Sequence, residues 1–435
     1  MSAYATAYAE PDARAQQPAG LPRLLAGARA GGAMTLERHE AVHGSLPAMH
    51  RRRGRAAEEL IAEIERAGLR GRGGGGFPTA TKMRAVAGAR GRPIVLVNAG
   101  EGEPASRKDR TLTQTLPHLV LDGGELAARA LGAKELIVAI CESAHASVES
   151  MALALAERPR GVPRTRLMSV PARYVASQET ALVSLANGGP ALPTFTPPRP
   201  FERGVAGQPT LIANAETLAH MALVARHGAD WFRSVGTAAN PGSALVTLSG
   251  PVAQPGVYEI ALGASLSSLL DAAGGLTARM RGVLVGGYGG GWIGPQQLAG
   301  AHLAEELLAP YGATLGAGVV VVLSEHACPV AEVARLARWL AAQSARQCGP
   351  CVHGLDAIAA SLDHLAGSGA RAGAPRRIEE LAGLVQGRGA CAHPDGASRM
   401  VRSALSAFAA EFADHLRYGA CEDCLRASEL PLASR

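Results

Sequence analysis

Three short segments carry most of the residues that could do chemistry. They are Gly68-Leu-Arg-Gly-Arg-Gly-Gly-Gly-Gly-Phe-Pro-Thr79, Asn98-Ala-Gly-Glu-Gly-Glu-Pro104 and Gln347-Cys-Gly-Pro-Cys-Val-His-Gly354. The first two are loops rich in backbone donors, suited to the phosphate and ring of a flavin. The third offers thiolates for iron. A flavin beside an iron–sulfur cluster divides two-electron chemistry into single electrons, so the three segments together suggest one electron path.

Gly71 to Gly76 matches G-x-G-x-x-G, but it follows a helix-like stretch, whereas the dinucleotide fingerprint follows a strand. A flexible linker is the plain alternative. Against it, the glycines are framed by Arg70, Arg72, Phe77, Pro78 and Lys82. Closely spaced glycines such as Gly71, Gly73 and Gly74 let backbone N–H groups approach a phosphate that the cations neutralise. The acidic loop leaves an apolar strand at its carboxyl end, where α/β sheets bind ligands. Asn98 can donate to and accept from a flavin ring edge. Glu101 and Glu103 suit ribityl or ribose hydroxyls, although loop carboxylates are often simply solvated.

Cys348, Cys351 and Cys391 place three thiols at the ends of expected helices, and a cubane cluster usually takes four ligands. Cys421-x2-Cys424 reads equally as a metal-binding pair or as an exposed pair on a frayed tail. Cys141 and Cys328 lie beside apolar runs and read as inert core residues. His353 and His393 flank the cluster cysteines as substitute ligands or as ordinary surface and capping residues.

The elements that must position these groups alternate between strand and helix. A helix over 56–67 ends on Gly68, and a strand over 93–97 ends on Asn98. Strands over 135–140 and 166–175 alternate with helices over 144–157 and 178–187, and a helix over 214–226 closes the set. This pattern predicts a parallel α/β sheet. Composition changes near residue 238, where 244–259 reads as a hairpin, followed by a helix near 265–273 and a glycine-rich strand region near 283–291. An apolar run near 315–323 reads as a buried strand. From residue 330 the chain reads as helical, over 329–345, 352–366, 376–386 and 398–417, a bundle with cysteines at its ends. The expected divisions are a tail and helical lead-in (1–55, its first 20 or so residues mobile), an α/β domain (56–235), a β-grasp-like domain (238–310), a helical bundle (325–420) and a C-terminal tail (421–435).

The 435 residues carry a net charge of +6, and only Lys82, Lys108 and Lys134 are lysines. With 4% aromatic residues and no basic run interleaved with rings, base stacking has little to work with, and nucleic-acid binding is not expected. No segment approaches the roughly 18 apolar residues that span a bilayer, so direct membrane insertion is not expected. Seven cysteines in so long a chain read as reduced, with ligand roles, and as cytoplasmic.

On these residues the chain resembles the NADH-binding flavoprotein subunit of respiratory complex I and its relatives, the diaphorase subunits of hydrogenases and formate dehydrogenases. The similarity runs in order from about residue 56 to 417. It takes in Gly68–Thr79 with Lys82, Asn98–Arg110, Gln178–Ala181, Asn214–Leu218, Ser249–Tyr258 and the three cysteines. The resemblance implies a Rossmann-like flavin domain, a β-grasp domain of the SLBB type and a helical iron–sulfur bundle. It implies FMN with its phosphate near Gly71–Gly74, surrounded by Lys82, Asn98, Glu179, Asn214 and Thr217. Glu103 and Glu179 are the implied nicotinamide-side carboxylates, with Phe77 as a retained stacking ring. Cys348, Cys351 and Cys391 match three of four cluster ligands, implying a 4Fe-4S or incomplete cluster.

The departures from the family pattern are specific. Gly100, Ala213 and Gln178 replace polar loop residues. Ala85 and Arg199 stand at the other two aromatic positions, Thr196 replaces a lysine, and Ala345 stands where the first cluster cysteine falls. Each missing ring would cost on the order of 1 kcal/mol of stacking. The resulting expectation is an FMN- and iron–sulfur-dependent oxidoreductase. It would take electrons from NAD(P)H and pass them singly to a ferredoxin-like or other redox subunit. A flavin and iron–sulfur shuttle without nicotinamide, and a non-catalytic assembly subunit, are the alternatives.

Overall fold

The computed structural model describes residues 20–29, 32–47, 53–159, 163–367 and 373–432; the tail expected before residue 20 lies outside them. The described chain forms two compact units. One comprises the residues up to 102 with 107–246 and 256–262, and the other 103–106, 247–255 and the residues from 263 onward.

The first unit is built on β1 (Ile94–Ala99), β2 (Glu135–Cys141), β3 (Arg164–Val170) and β4 (Thr210–Asn214). They form a parallel sheet in the order β3-β2-β1-β4. Alternate side chains of a strand face opposite ways, and here they feed two apolar layers. Val95, Val97, Leu136 and Val138 pack into one layer, and Ile94, Leu96, Ile137 and Ala139 into the other. The strand expected to reach residue 175 stops at Val170, because Pro171 lacks the N–H a ladder needs. Since β1 lies between β2 and β4, the strand order reverses there. Ligands of open α/β sheets bind at such a reversal, beyond the carboxyl ends of the strands. Asn98 and Asn214 lie in register at that point.

Two helices that cover the first layer, Pro117–Leu131 and Ala215–His227, pack closely. A Cβ on Gly123 would fall 1.9 Å from the Leu218 carbonyl oxygen. Buried in the same helix, Asp122 accepts from His39 Nε2 (2.6 Å) and Arg158 Nη2 (2.6 Å) and pairs with Arg226. Burial pushes its carboxyl up, but the His39 hydrogen bond and the two guanidinium charges outweigh that and hold it well below the usual carboxylate range.

β5 (Ser243–Ser249) carries the chain from the first unit toward the second, and β6 (Gly256–Ala261) falls in the first. In the second unit β7 (Met280–Val285), β8 (Gly291–Ile293) and β9 (Val319–Ser324) form a mixed arrangement. β9 pairs parallel with Thr247–Ser249 of β5 and antiparallel with β7, which pairs antiparallel with β8. Helix Leu266–Ala272 gives this region its β-grasp character. Helices Pro329–Ala342, Leu355–Ala366, Ala374–Val385, His393–Ala407 and Ala409–Tyr418 follow. The single helix expected over 398–417 is thus two, broken at buried Phe408, whose ring packs edge-on against Trp292 at 5.4 Å. No described helix is long and apolar enough to cross a membrane.

The tight helix crossing at Gly123 generates a first prediction. Gly123→Ala should cost about 1–3 kcal/mol of stability through forced separation of the two helices. Urea unfolding would check it, and an unchanged midpoint would show that the helices slide without cost.

Candidate functional site

Helices Thr79–Gly88, Glu179–Ala186 and Ala215–His227 all begin at the crevice between β1 and β4. Thr79, Gln178 and Asn214, at their starts, line one cavity of about 250 Å³. A helix start presents unpaired N–H groups and the positive end of the peptide dipoles, so three converging starts suit an anion such as a phosphate. Gln178 caps its own helix through Oε1, accepting from the Thr180 and Ala181 N–H groups, and Asn214 caps its own through Glu216 N–H. The helix at Thr79 has no side-chain cap, since Pro78 precedes it, and the buried Thr79 hydroxyl has no partner among the described residues.

The glycine loop folds back on itself over this cavity. Gly71 N–H donates to the Phe77 carbonyl (2.9 Å), and Arg70 Nε donates to that of Gly76 (2.8 Å). Gly74 and Gly76 take φ of +103° and +56°, a region L side chains rarely adopt. The loop lies directly on the next helix: Arg72 N–H donates to Thr217 Oγ1 (2.8 Å), and a Cβ on Gly73 would come within 3.2 Å of Asn214 Cβ. Arg72 and Gly74 belong to the loop but not to the cavity wall, and the Arg72 guanidinium donates to the Pro241 carbonyl (3.4 Å).

Gly71, Gly73, Phe77, Lys82, Asn98, Glu179, Asn214 and Thr217 therefore share one wall. Lys82 Nζ pairs with the Glu179 carboxylate and donates to the Ile212 carbonyl (3.0 Å). Asn98 Nδ2 donates to the Ser177 carbonyl (2.8 Å), and its Oδ1 accepts from Gly100 N–H. The two loop glutamates part company. Glu101 accepts from the Asp109 and Arg110 N–H groups (3.2 and 3.3 Å), capping helix Lys108–Thr115. Glu103 falls in the second unit, where it accepts from Tyr288 N–H (2.9 Å). Ser177, in the cavity wall, escaped sequence reading, and Thr79 was read only as the end of the glycine-loop segment, not as a helix start lining the site. Thr79 opens a helix whose pattern is too weakly amphipathic to mark it, and Ser177 contributes through its backbone.

The three cluster cysteines gather in the second unit. Cys351 is buried in the wide helical turn Pro350–Gly354, hydrogen-bonded to Cys348 and close to Cys391. Burial, followed by the neighbouring Cys348 charge, pushes the Cys351 thiol up to about 12, and burial likewise raises Cys391. Thiols so placed become thiolates only with a cation among them, which is what iron supplies. Ala345 N–H donates to the Cys351 sulfur, so the position without a cysteine lies at the edge of this group.

Two further sulfurs do not join them. Cys421 and Cys424 meet Cys328 and His415 instead, which corrects the reading of Cys328 as an inert core residue. A larger cleft of about 870 Å³ in the second unit is walled by Trp292, Tyr311, Arg399 and Arg402 and holds none of the expected site residues.

Comparison with known proteins places these segments in known domain families. Residues 64–223 match the Nuo51 FMN-binding domain, 245–287 the SLBB domain, and 331–415 the NADH-ubiquinone oxidoreductase-F iron–sulfur binding region. The chain is 33% identical to the F 2 subunit of the NADH-quinone oxidoreductase of Rhizobium meliloti, over 84% of its own length and 90% of the relative's. The chain belongs to the family of NADH-binding flavoprotein subunits. It is 31% identical to the corresponding F subunit of Streptomyces coelicolor, with 88% of each chain covered. A chain of an NAD+-reducing [NiFe]-hydrogenase in its air-oxidized state superposes with a TM-score of 0.73 at 32% identity. That match covers 83% of this chain and 63% of the hydrogenase chain, so this chain spans under two thirds of that relative.

This family member is an FMN- and iron–sulfur-dependent electron-transfer flavoprotein, and both sites fit their groups. The uncapped helix start, the unpaired Thr79 hydroxyl and the bare Gly73 suit a phosphate, and three gathered thiols suit iron. Removing the cavity's ammonium would leave Glu179 unneutralised beside the anion. Lys82→Ala should therefore raise the FMN dissociation constant at least about tenfold. Flavin fluorescence titration of the deflavinated chain would measure it, and an unchanged constant would remove Lys82 from the site.

Proposed function

We propose that the chain oxidises NADH at FMN held in the β1/β4 crevice and delivers electrons one at a time to a partner redox subunit. A cluster held by Cys348, Cys351 and Cys391 would carry them out. The observation that carries this reading is the convergence of three helix starts on one cavity beneath a glycine loop. Bound FMN supplies hydride acceptance and single-electron release.

The chain's own residues would then do the positioning. Gly71, Gly73 and the Thr79 helix start would receive the phosphate, and Lys82, tethered by Glu179, would balance its charge. Asn98 and Asn214, fixed in register, would meet the ring system and its side chain. Phe77 is 52% exposed at the cavity and offers a face for the nicotinamide dinucleotide. Relatives named as F subunits of NADH-quinone oxidoreductases support another subunit of a multi-subunit redox complex as the acceptor, and a ferredoxin-like protein suits it by chemistry.

A second reading keeps the flavin and cluster but takes electrons from a protein. Ala85 and Arg199 at the family's aromatic positions favour it, since nicotinamide binding then rests on fewer rings. Visible spectra of anaerobically purified protein separate the two. Flavin bands that bleach within seconds of stoichiometric NADH or NADPH support the first reading. Bands that persist until dithionite is added sink it. Protein that retains no flavin under gentle purification would point to an assembly role instead.

The cluster assignment has its own test at the position without a cysteine. Ala345→Cys should raise the iron and acid-labile sulfide bound per chain, because the new sulfur would lie beside Cys351. Iron content no higher than that of the unmodified chain would show that residue 345 does not face the cluster.

A further inference from the structure

We propose that Cys328, His415, Cys421 and Cys424 form a closed, four-ligand site for a single zinc ion, separate from the cluster thiols. The Sγ atoms of the three cysteines and one imidazole nitrogen of the histidine all lie within 4.8 Å of one another. Cys424 Sγ is 3.4 Å from Cys328 Sγ, 3.5 Å from Cys421 Sγ and 3.8 Å from His415 Nε2; Cys328 Sγ is 3.4 Å from the same nitrogen. A tetrahedral ion with bonds of roughly 2.0–2.3 Å sets its ligand atoms roughly 3.5–3.8 Å apart. An iron–sulfur cluster puts each thiolate on its own iron, with sulfide between, and four donors this close leave no room for that. Three thiolates and an imidazole in tetrahedral array select zinc by ligand softness and geometry.

The surroundings prepare each donor. His415 Nδ1 lies 3.2 Å from the Leu365 carbonyl, which suits an N–H on that nitrogen donating to it and leaves the Nε2 lone pair toward the sulfurs. Cys328 caps helix Pro329–Ala342 and is 3% exposed, with its sulfur accepting from Ala331 N–H. Gly419 ends helix Ala409–Tyr418 at a φ of +81°, turning the chain back so that Cys421 and Cys424 return to His415. Beyond them the chain stays anchored. Arg335 Nη2 donates to the Cys424 carbonyl (2.8 Å), Ser428 Oγ donates to Glu332 Oε2 (2.6 Å), and Ser324 N–H donates to Glu429 Oε2 (2.8 Å). All of these groups lie in the second unit. With four protein ligands no position remains for water or substrate, so the ion is structural and redox-silent.

The test is elemental analysis of the full chain, purified anaerobically after growth with zinc supplied. One zinc ion per chain is expected. The variant Cys421→Ser with Cys424→Ser should lose the zinc and keep its iron and flavin, and Cys348→Ser should lose iron and keep zinc. Cobalt added to the zinc-depleted chain should give the visible bands of a tetrahedral thiolate site, and the double variant should not. His415→Gln, which keeps all three cysteines, should weaken zinc retention against a chelator at least about tenfold, guarding against misfolding of the double variant. Zinc absent from the unmodified chain, zinc that survives the double substitution, zinc lost with Cys348, or a disulfide between Cys421 and Cys424 in the anaerobic protein would each overturn the proposal. Because zinc and iron are read separately, failure here is distinguishable from failure of the cluster assignment.

Discussion

A single buried ammonium holds the β1/β4 crevice together. Lys108 is 3% exposed and lies 2.9 Å from both Asp109 Oδ1 and Glu216 Oε2, with Asn214 Oδ1 at 3.2 Å. Burial works against its charge, but the two carboxylates more than reverse this and raise its pKa above the ordinary lysine value. Asp109 in turn accepts from Asn214 Nδ2 (2.6 Å), and the same nitrogen reaches the Asn98 carbonyl (3.2 Å). Glu216 accepts from Leu245 N–H (2.9 Å). The loop after β1 and the helix after β4 are thereby locked at the strand-order reversal. Buried pairs add little net stability over an apolar core, but removing one partner costs about 3–5 kcal/mol. Such a network fixes geometry more than it adds stability, and geometry is what a cofactor cradle needs.

That network also explains how much of the crevice was legible in the sequence. The strand ending at Asn98, the glycine loop and the helix starting at Asn214 all showed in local pattern. The helix over Pro117–Leu131 did not, because buried His118 and Asp122 interrupt its apolar run and are satisfied only by residues far along the chain. The roles of the loop glutamates were equally hidden. Spacing alone offers Glu101 and Glu103 as equivalent carboxylates. Only the fold shows one capping a helix and the other bonded to Tyr288 N–H in the second unit. Lys108 was visible as one of three lysines and as a member of the matched segment Asn98–Arg110, but not as buried; its burial depends on Glu216, more than a hundred residues away.

The cysteines follow the same rule in reverse. Sequence spacing left Cys421 and Cys424 as either a metal-binding pair or an exposed pair on a frayed tail, and it left Cys328 as an inert core residue. Their true neighbours are set by chain path. Helix Pro329–Ala342 begins next to Cys328 and ends shortly before Ala345 and Cys348. Fourteen helical residues span about 21 Å, so the sulfurs gathered at its start cannot join Cys348, Cys351 and Cys391 beyond its end. The helix therefore separates two kinds of metal chemistry. At its far end Cys348 and Cys391 stand half-buried around buried Cys351, the group proposed to hold the electron-carrying cluster. At its start four donors in close contact leave room for one ion only and bind the chain's C-terminal segment to the bundle. An ion of fixed valence is the suitable choice there, because a redox-active metal would change its ligand preference with each electron and loosen the segment it holds.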